Sequence, residues 1–461
     1  MATSKPTLLQ REKKLIRGIG ANERRAYHLG RSIFTRKKFN RAIRILGPGV
    51  VTGAADDDPS GIATYSQTGA AYGLSLLWVF PLMFPLLLAV QESCSRIGAV
   101  TGKGLAAIIK ENYSKKLLLL AVFMVVVANV INIGADLGAM AATTQLFVHI
   151  PYGVLAAFYA LVVVLLVIFV NYKTYAKILK WLAVTLLAYP VTAFLVGQDW
   201  PAIIRATFTI RPDFSLNTIY IIVGILGTTI SPYLFFWDTS EVVEEEISKH
   251  RLLQKGGSPK ITRRFLRGIR LDNFAGMSLA TVTAWFIVIV CASVLFKNGI
   301  TQINTASDAA NALLPLVHNF PNAGLIAKLI FSIGIIGIGL LAIPVLAGSS
   351  AYAISESMSW KEGLYRKFKK ATGFYIVIIA ATLIGLLFNF LGIDPIKALI
   401  FTAVFNGIAA VPLLFIIAKV GNNTNIMGEY KNSHLSNVFV RLAFVVMAGA
   451  VLVLAFSFIR G

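Results

Sequence analysis

Charge is scarce in this sequence. Asp, Glu, Lys and Arg make up 14% of its 461 residues, where an ordinary soluble domain carries roughly 25%. So few charges do not cover a soluble protein of this size, and the 56% apolar share points the same way. Cysteine is nearly absent. Cys94 and Cys291 both fall in apolar stretches, which excludes a disulfide framework and a thiolate metal cluster. The five histidines, His28, His149, His250, His318 and His434, lie in the tail, in loops or at span edges. A histidine proton switch inside the apolar spans therefore has no candidate. No nucleophile, base and orienting group can be placed together either, so enzyme chemistry and a resident cofactor find no support. Acidic residues number 21 against 43 basic ones, a net charge of +22. That surplus would suit nucleic acid in a soluble chain, but its distribution excludes that reading here.

What is present is a series of apolar stretches, each about 20 residues long and bounded by Gly, Pro or charge, the pattern of an all-α polytopic membrane protein. Eleven helices are predicted, over 43–71, 75–95, 117–147, 152–171, 176–197, 215–247, 273–296, 325–350, 373–391, 395–418 and 437–459. The first apolar run follows a strongly basic stretch some forty residues long, so no cleaved signal peptide is expected. With the N-terminus cytoplasmic, 37 Lys and Arg fall on the inner side and 6 on the outer: Arg205, Arg211, Lys297, Lys328, Lys397 and Arg460. This bias places a multi-pass protein in the cell membrane with its N-terminus inside and its C-terminus outside. The basic tail, 1–42, either lies along anionic membrane lipid or only sets orientation. The sequence leaves the oligomeric state open, and a monomer is consistent with it.

Two spans are interrupted. The first reaches Asp56-Asp57-Asp58-Pro59-Ser60-Gly61 near its midpoint, and the sixth carries Gly227-Thr228-Thr229-Ile230-Ser231-Pro232-Tyr233 at its own middle. Proline removes a backbone donor and clashes with the preceding turn, so each helix is predicted to break. Broken backbone at membrane depth is tolerated only where it faces protein or a polar cavity. The two prolines lie 173 residues apart. That spacing predicts two five-helix repeats of inverted orientation, 43–197 and 215–418, with 437–459 as an added eleventh helix.

A carboxylate at bilayer depth costs several kcal/mol and is seldom kept without a partner, an ion or water (about 2.5–3.5 kcal/mol on insertion scales). Asp58, immediately before the first break, is therefore the leading metal-binding candidate. The carbonyls of Ala55 and Gly61 flank that break, and the carbonyl of Thr228 and the hydroxyl of Ser231 come from the opposing one. A carboxylate with carbonyls, hydroxyls and water suits a hard divalent cation. No Met or Cys stands at either break to supply the sulfur that softer metals favour.

Further acids and amides are pathway candidates. Asp56 and Asp57 point in directions different from Asp58, one toward an inner vestibule and one toward a neighbouring helix. Asp238, Glu241 and Glu245 share a helical face, either as a cation-attracting exit or as ordinary solvated charge. Asp136 sits inside the third span with Asn132 one turn before it, in a water-filled pathway or as a cap for a neighbour. Gln67 lines an external mouth or makes an interhelical hydrogen bond. Asp272 and Asn273 read as an N-cap pair opening the seventh helix, with no pathway role.

The letters around the first break carry a resemblance. Asp58-Pro59-Ser60-Gly61-Ile62-Ala63-Thr64, followed by Gln67 and Gly69-Ala70, resembles the Asp-Pro-Gly-Asn-Ile-Ala-Thr segment of the natural resistance-associated macrophage protein (Nramp) metal transporters. Gly98-Ala99-Val100-Thr101-Gly102-Lys103 is similar to that family's loop after helix two, and the likeness runs from about Leu46 to Ile459. The resemblance implies a LeuT-like 5+5 inverted repeat binding a divalent metal between helices one and six. Against the family pattern, Gly61 replaces a metal-binding asparagine and Ser231 replaces the methionine before Pro232. Tyr233 replaces a histidine, Asp136-Leu137-Gly138-Ala139 lacks a glutamate, and residues 376–387 lack arginines of the usual proton route. This set resembles the Nramp-related magnesium transporter branch, in which a more hydrated ion is moved without protons.

The expected function is thus uptake of Mg²⁺, with Mn²⁺ also accepted, by alternating access and without proton coupling. A proton-coupled Mn²⁺ or Fe²⁺ symporter using Asp58 or Asp136 is the nearer alternative, and a sodium-coupled amino-acid transporter on the same fold the more distant one.

Overall fold

Helix starts in this chain follow their capping residues. The structure, a computed structural model, describes residues 58–170, 184–213, 215–257 and 259–460, and all regular structure among them is helical. The basic tail, Ala55, Asp56, Asp57 and the inner half of the first span lie outside the described residues. The main helices are α1 (Pro59–Tyr72), α2 (Val79–Thr101), α3 (Leu105–Asn112), α4 (Lys115–Thr144), α5 (Tyr152–Phe169) and α6 (Ala188–Leu195). After them come α7 (Leu216–Thr229), α8 (Pro232–Ser248), α9 (Arg263–Val294), α10 (Ala323–Met358), α11 (Thr372–Phe388), α12 (Pro395–Asn422) and α13 (His434–Arg460). Side chains of Asp58, Ser114, Ser215, Thr262 and Asp394 accept backbone N–H groups at the starts of α1, α4, α7, α9 and α12. In α1 and α12 a proline follows as the first helical residue, where its missing N–H costs nothing.

A helix stands at the place of each of the eleven expected spans, and seven of those described are long and apolar enough to cross a membrane by themselves. The sixth span breaks as expected. Helix α7 closes with Ile230 N–H on the Leu226 carbonyl at 2.7 Å, Ser231 is extended at ψ 136°, and α8 starts at Pro232. The first span's outer half starts in the same manner, from an extended Asp58 at ψ 170°. The seventh span corrects its expectation. Thr262 caps it and no breaker intervenes, so α9 begins at Arg263 and Asp272 and Asn273 lie in the helix interior rather than at a cap. Short helices at Leu105–Asn112, Trp200–Phe208, Ala306–Ala310 and Leu314–Val317 were below the length that an apolar run of spanning size reveals.

Packing interleaves the two halves of the chain. Helix α1 lies against α7, α9 and α12, α8 against α2, and α10 against α4. Small residues permit the closest of these approaches: a Cβ on Gly227 of α7 would stand 2.2 Å from the Ala403 carbonyl oxygen and 2.3 Å from the Gly407 nitrogen, both backbone of α12. That contact fixes the half-helix ending at the sixth-span break.

Candidate functional site

The beginning of α1 converges with the end of α7 and the middle of α4. Asp58 is fully buried and receives three hydrogen bonds: Ser60 Oγ at 2.6 Å and the Gly61 N–H at 2.9 Å on Oδ1, and Asn132 Nδ2 at 2.7 Å on Oδ2. Two of these donors come from its own capped turn and the third from α4. A carboxylate offers about four lone-pair positions. Among the described residues these donors place two bonds on Oδ1 and one, from Asn132, on Oδ2.

The opposing break approaches through hydroxyls. Ser60 Oγ lies 3.3 Å from Thr228 Oγ1, and Tyr65 OH 2.8 Å from Thr229 Oγ1. Ser231 turns its hydroxyl onto its own helix, 2.8 Å from the Gly227 carbonyl and 2.6 Å from that of Thr228, two acceptors that the break deprives of helical donors. Gly61 contributes only backbone. Tyr233 is fully buried, with its carbonyl accepting from Ser349 Oγ at 2.8 Å.

On α4, Asn132 and Asp136 share a face one turn apart. Both are fully buried, and among the described residues Asn132 Oδ1 and both Asp136 oxygens lack hydrogen-bond partners. The structure thus groups Asp58, Asn132, Asp136, Thr228 and Ser231 around one polar centre. No cluster of three or more His, Cys, Asp or Glu occurs among the described residues. Sequence reasoning overlooked Ser60, whose hydroxyl contacts both Asp58 and Thr228. Its position two residues after the capping aspartate was the available signal.

Two expected pathway residues occupy other surroundings. Ser95 Oγ donates to Asp238 and accepts from Asn273 Nδ2 at 2.7 Å, tying α2, α8 and α9 together. Glu241 accepts from Trp237 Nε1 at 2.8 Å on its own helix. Glu244 accepts from Tyr352 OH and from the Leu364 N–H, and Glu245 pairs with Lys249. The acidic face of α8 is thereby divided among several neighbours. At the far end of α1, Gln67 donates to the Thr301 carbonyl at 3.0 Å and accepts the Ile303 N–H at 2.9 Å, fastening α1 to the segment after α9. Between that contact and the polar centre remains a cavity of about 10 Å³ beside Ile62, Ser66, Ala139 and Ile303, room for about one water at most.

A second polar cluster, absent from the sequence-based expectations, lies beyond the other end of α8. Lys255 Nζ meets Glu356 at 2.8 Å and Glu362 at 2.7 Å. Glu356 also accepts Ser240 Oγ at 2.8 Å and the Ala106 N–H at 3.0 Å. One carboxylate thus joins α3, α8, α10 and the loop after α8. Burial, then the charge of Glu356, pushes the Glu362 carboxyl above its usual range, while Lys255 pulls it back. Burial alone would depress Lys255, yet Glu356 and Glu362 together hold its ammonium above the usual lysine range.

Comparison with known proteins gives a consistent set of likenesses. A profile described as natural resistance-associated macrophage protein-like matches residues 49–457. The chain is 29% identical to the divalent metal cation transporter MntH 1 of Pseudomonas aeruginosa over 304 residues, which span 64% of this chain and 65% of that protein. It is 26% identical to the divalent metal cation transporter MntH of Caldanaerobacter subterraneus over 92% of this chain and 93% of that protein. Among solved structures, a manganese transporter of Eremococcus coleocola superposes with a TM-score of 0.68 at 17% identity, covering 90% of this chain and 87% of the other. MhsT in complex with L-phenylalanine superposes with a TM-score of 0.58 at 14% identity, covering 89% and 98%. At those identities the structural likenesses show the fold alone, an all-helical transporter architecture with interrupted helices.

Proposed function

The chain belongs to the natural resistance-associated macrophage protein family, and on that premise we propose that it is a divalent metal cation transporter taking up Mg²⁺, with Mn²⁺ also accepted. It is a membrane transporter and not an enzyme, as are the relatives it matches. In this reading the cell membrane holds it with the N-terminus inside, as the Lys and Arg asymmetry favours. The substrate ion docks at Asp58 and is exposed to one side at a time as the half-helices at the two breaks move.

One observation carries the reading: a buried Asp58 carboxylate held by Ser60, Gly61 and Asn132, with the Thr228 hydroxyl of the opposing break 3.3 Å from that of Ser60. Magnesium dehydrates reluctantly and is bound through one or two carboxylates while keeping several waters. Gly61 supplies no side chain, and the Ser231 hydroxyl is turned onto α7 carbonyls, so few protein atoms compete with those waters. Manganese has similar oxygen chemistry. Iron and zinc gain less without sulfur or imidazole.

Proton coupling is a second reading favoured by a specific feature: Asp136 is fully buried and without a hydrogen-bond partner among the described residues. Transport without protons is nonetheless the proposal, because no histidine follows Pro232 and no glutamate stands at Ala139. The experiment is metal flux into proteoliposomes with a lumenal pH dye, using a proton-coupled relative as positive control. Metal accumulation without matching acidification is the expected result. Acidification that scales with metal flux and vanishes in empty liposomes would establish the second reading instead.

A further inference from the structure

We propose that a groove between α12 and α13 is a binding site for one anionic phospholipid, independent of which ion the transporter moves. The groove, a cavity of about 650 Å³, is bounded by Lys419 and Asn422 of α12, Arg441 and Phe444 of α13, and Tyr113, just past α3. It lies at the ends of these helices that the charge asymmetry assigns to the cytoplasmic side. Two cations face one space, and among the described residues neither Lys419 nor Arg441 forms an ion pair. Glu111, the acid nearest to Tyr113 in sequence, is occupied by Lys103 at 2.6 Å. An uncompensated Lys and Arg within one groove call for an anion.

The rest of the groove says which anion. The Lys419 ammonium lies 4.6 Å from the centre of the Phe415 ring, and the Phe415 and Phe444 rings stand 5.6 Å apart. Phe415 is 41% exposed and Val445 60% exposed, and the apolar stretch of α13 is only 17% buried within the protein. That face meets lipid. The groove therefore has a cationic and amide end at headgroup level and an aromatic wall continuing into the hydrocarbon. A free phosphate would satisfy only the first, and a zwitterionic lipid brings its own cation to compete with Lys419 and Arg441. A phosphodiester with net negative charge fits both: the Arg441 guanidinium pairs with two of its oxygens, Lys419 acts as a point charge, and an acyl chain lies along Phe415 and Phe444.

The test is a lipid titration of the purified full-length protein followed by native mass spectrometry, with dioleoylphosphatidylglycerol and dioleoylphosphatidylcholine as probes. One phosphatidylglycerol should bind in preference to phosphatidylcholine. Lys419→Gln with Arg441→Gln should weaken that binding about thirtyfold, the effect of two interfacial cations, and leave phosphatidylcholine unchanged. Lys369→Gln with Lys370→Gln, which removes two exposed cations elsewhere on the same side, should not weaken it. Lys419→Arg with Arg441→Lys should retain the lipid and serves if the glutamine pair fails to fold. Equal retention of both lipids by the wild type, or unchanged phosphatidylglycerol binding in the glutamine pair, would overturn the site. Displacement of phosphatidylglycerol by millimolar inorganic phosphate would assign the groove to a free anion and overturn the lipid.

Discussion

Asn132→Ala tests whether Asp58 is where the ion docks. Asn132 is the one donor to Asp58 Oδ2 among the described residues, at 2.7 Å, and the side chain is fully buried. A hydrogen bond to a charged acceptor contributes about 1.5–3 kcal/mol. Losing a partner that aims a metal ligand typically lowers metal affinity by about 10- to 100-fold, and the two figures agree. The half-saturating Mg²⁺ concentration for uptake should therefore rise about 10- to 100-fold, with a smaller change in maximal rate. Initial rates in proteoliposomes containing a Mg²⁺-sensitive dye measure both. Asn129→Ala is the matched control. It lies on the same helix and is equally buried, but donates to the Leu346 carbonyl at 2.9 Å and Ser350 Oγ at 3.0 Å, away from Asp58. It should lower thermal stability without moving the concentration curve. A wild-type curve from Asn132→Ala, or an equal shift from Asn129→Ala, would refute the reasoning.

Three further outcomes are expected. Gly61→Asn with Ser231→Met should move the Mg²⁺ to Mn²⁺ uptake ratio toward manganese, since both residues add direct ligands and the sulfur favours the softer ion; a fixed ratio in paired titrations would place selectivity elsewhere. Gly227→Ala should destabilise the protein by about 1–3 kcal/mol, because its Cβ would meet α12 backbone at 2.2 Å. Gly268→Ala, with no atom within 4 Å of its new Cβ, should instead gain up to about 1 kcal/mol, both read from thermal melts. Glu362→Gln tests the cluster around Lys255. With the folded carboxyl held above its ordinary value of 4.5, the native state retains its proton to a higher pH than the unfolded chain does. Stability from this group is full below 4.5 and declines as pH rises above it toward the folded value, and Glu362→Gln should flatten that decline in the melting temperature. An unchanged slope would show that Glu362 does not titrate there.

The sixth-span break and the start of α1 at Pro59 were legible because Ser-Pro and Asp-Pro coincide with polar and glycine-rich letters inside apolar runs. Proline by itself was not the signal. Pro85, Pro344 and Pro412 sit within continuous helices, where neighbouring helices accommodate the lost donor. The difference is the preceding residue, extended at Asp58 and Ser231. Asp58 itself could be singled out from the cost of a carboxylate at that depth. Its partner could not, because Asn132 is 74 positions away and spacing rules reach only along one element. The same limit hid Lys255 with Glu356, 101 positions apart. It also hid Asn273, which lies on α9 and whose contact with Ser95 spans 178 positions. The shared face of Asp238 and Glu241 was read correctly from a helical period, but which neighbour each would meet depends on how α2, α8 and α10 pack.

Ser231 links the backbone problem at the sixth-span break to the proposed choice of ion. A break leaves carbonyls without helical donors, and at membrane depth these need a partner. The Ser231 hydroxyl lies within hydrogen-bond reach of two of them, Gly227 and Thr228, though its single proton serves one at a time. Holding the break closed in this way engages the side chain that the proposed reading would otherwise offer to the ion. The two functions compete for one residue. A longer, sulfur-bearing side chain at this position would offer an ion a ligand and leave both carbonyls to water or the ion. Serine keeps the carbonyls internally satisfied and leaves the ion with its own water. On the proposed reading, an ion that parts reluctantly with its hydration shell is therefore favoured by the same hydroxyl that stabilises the interrupted helix.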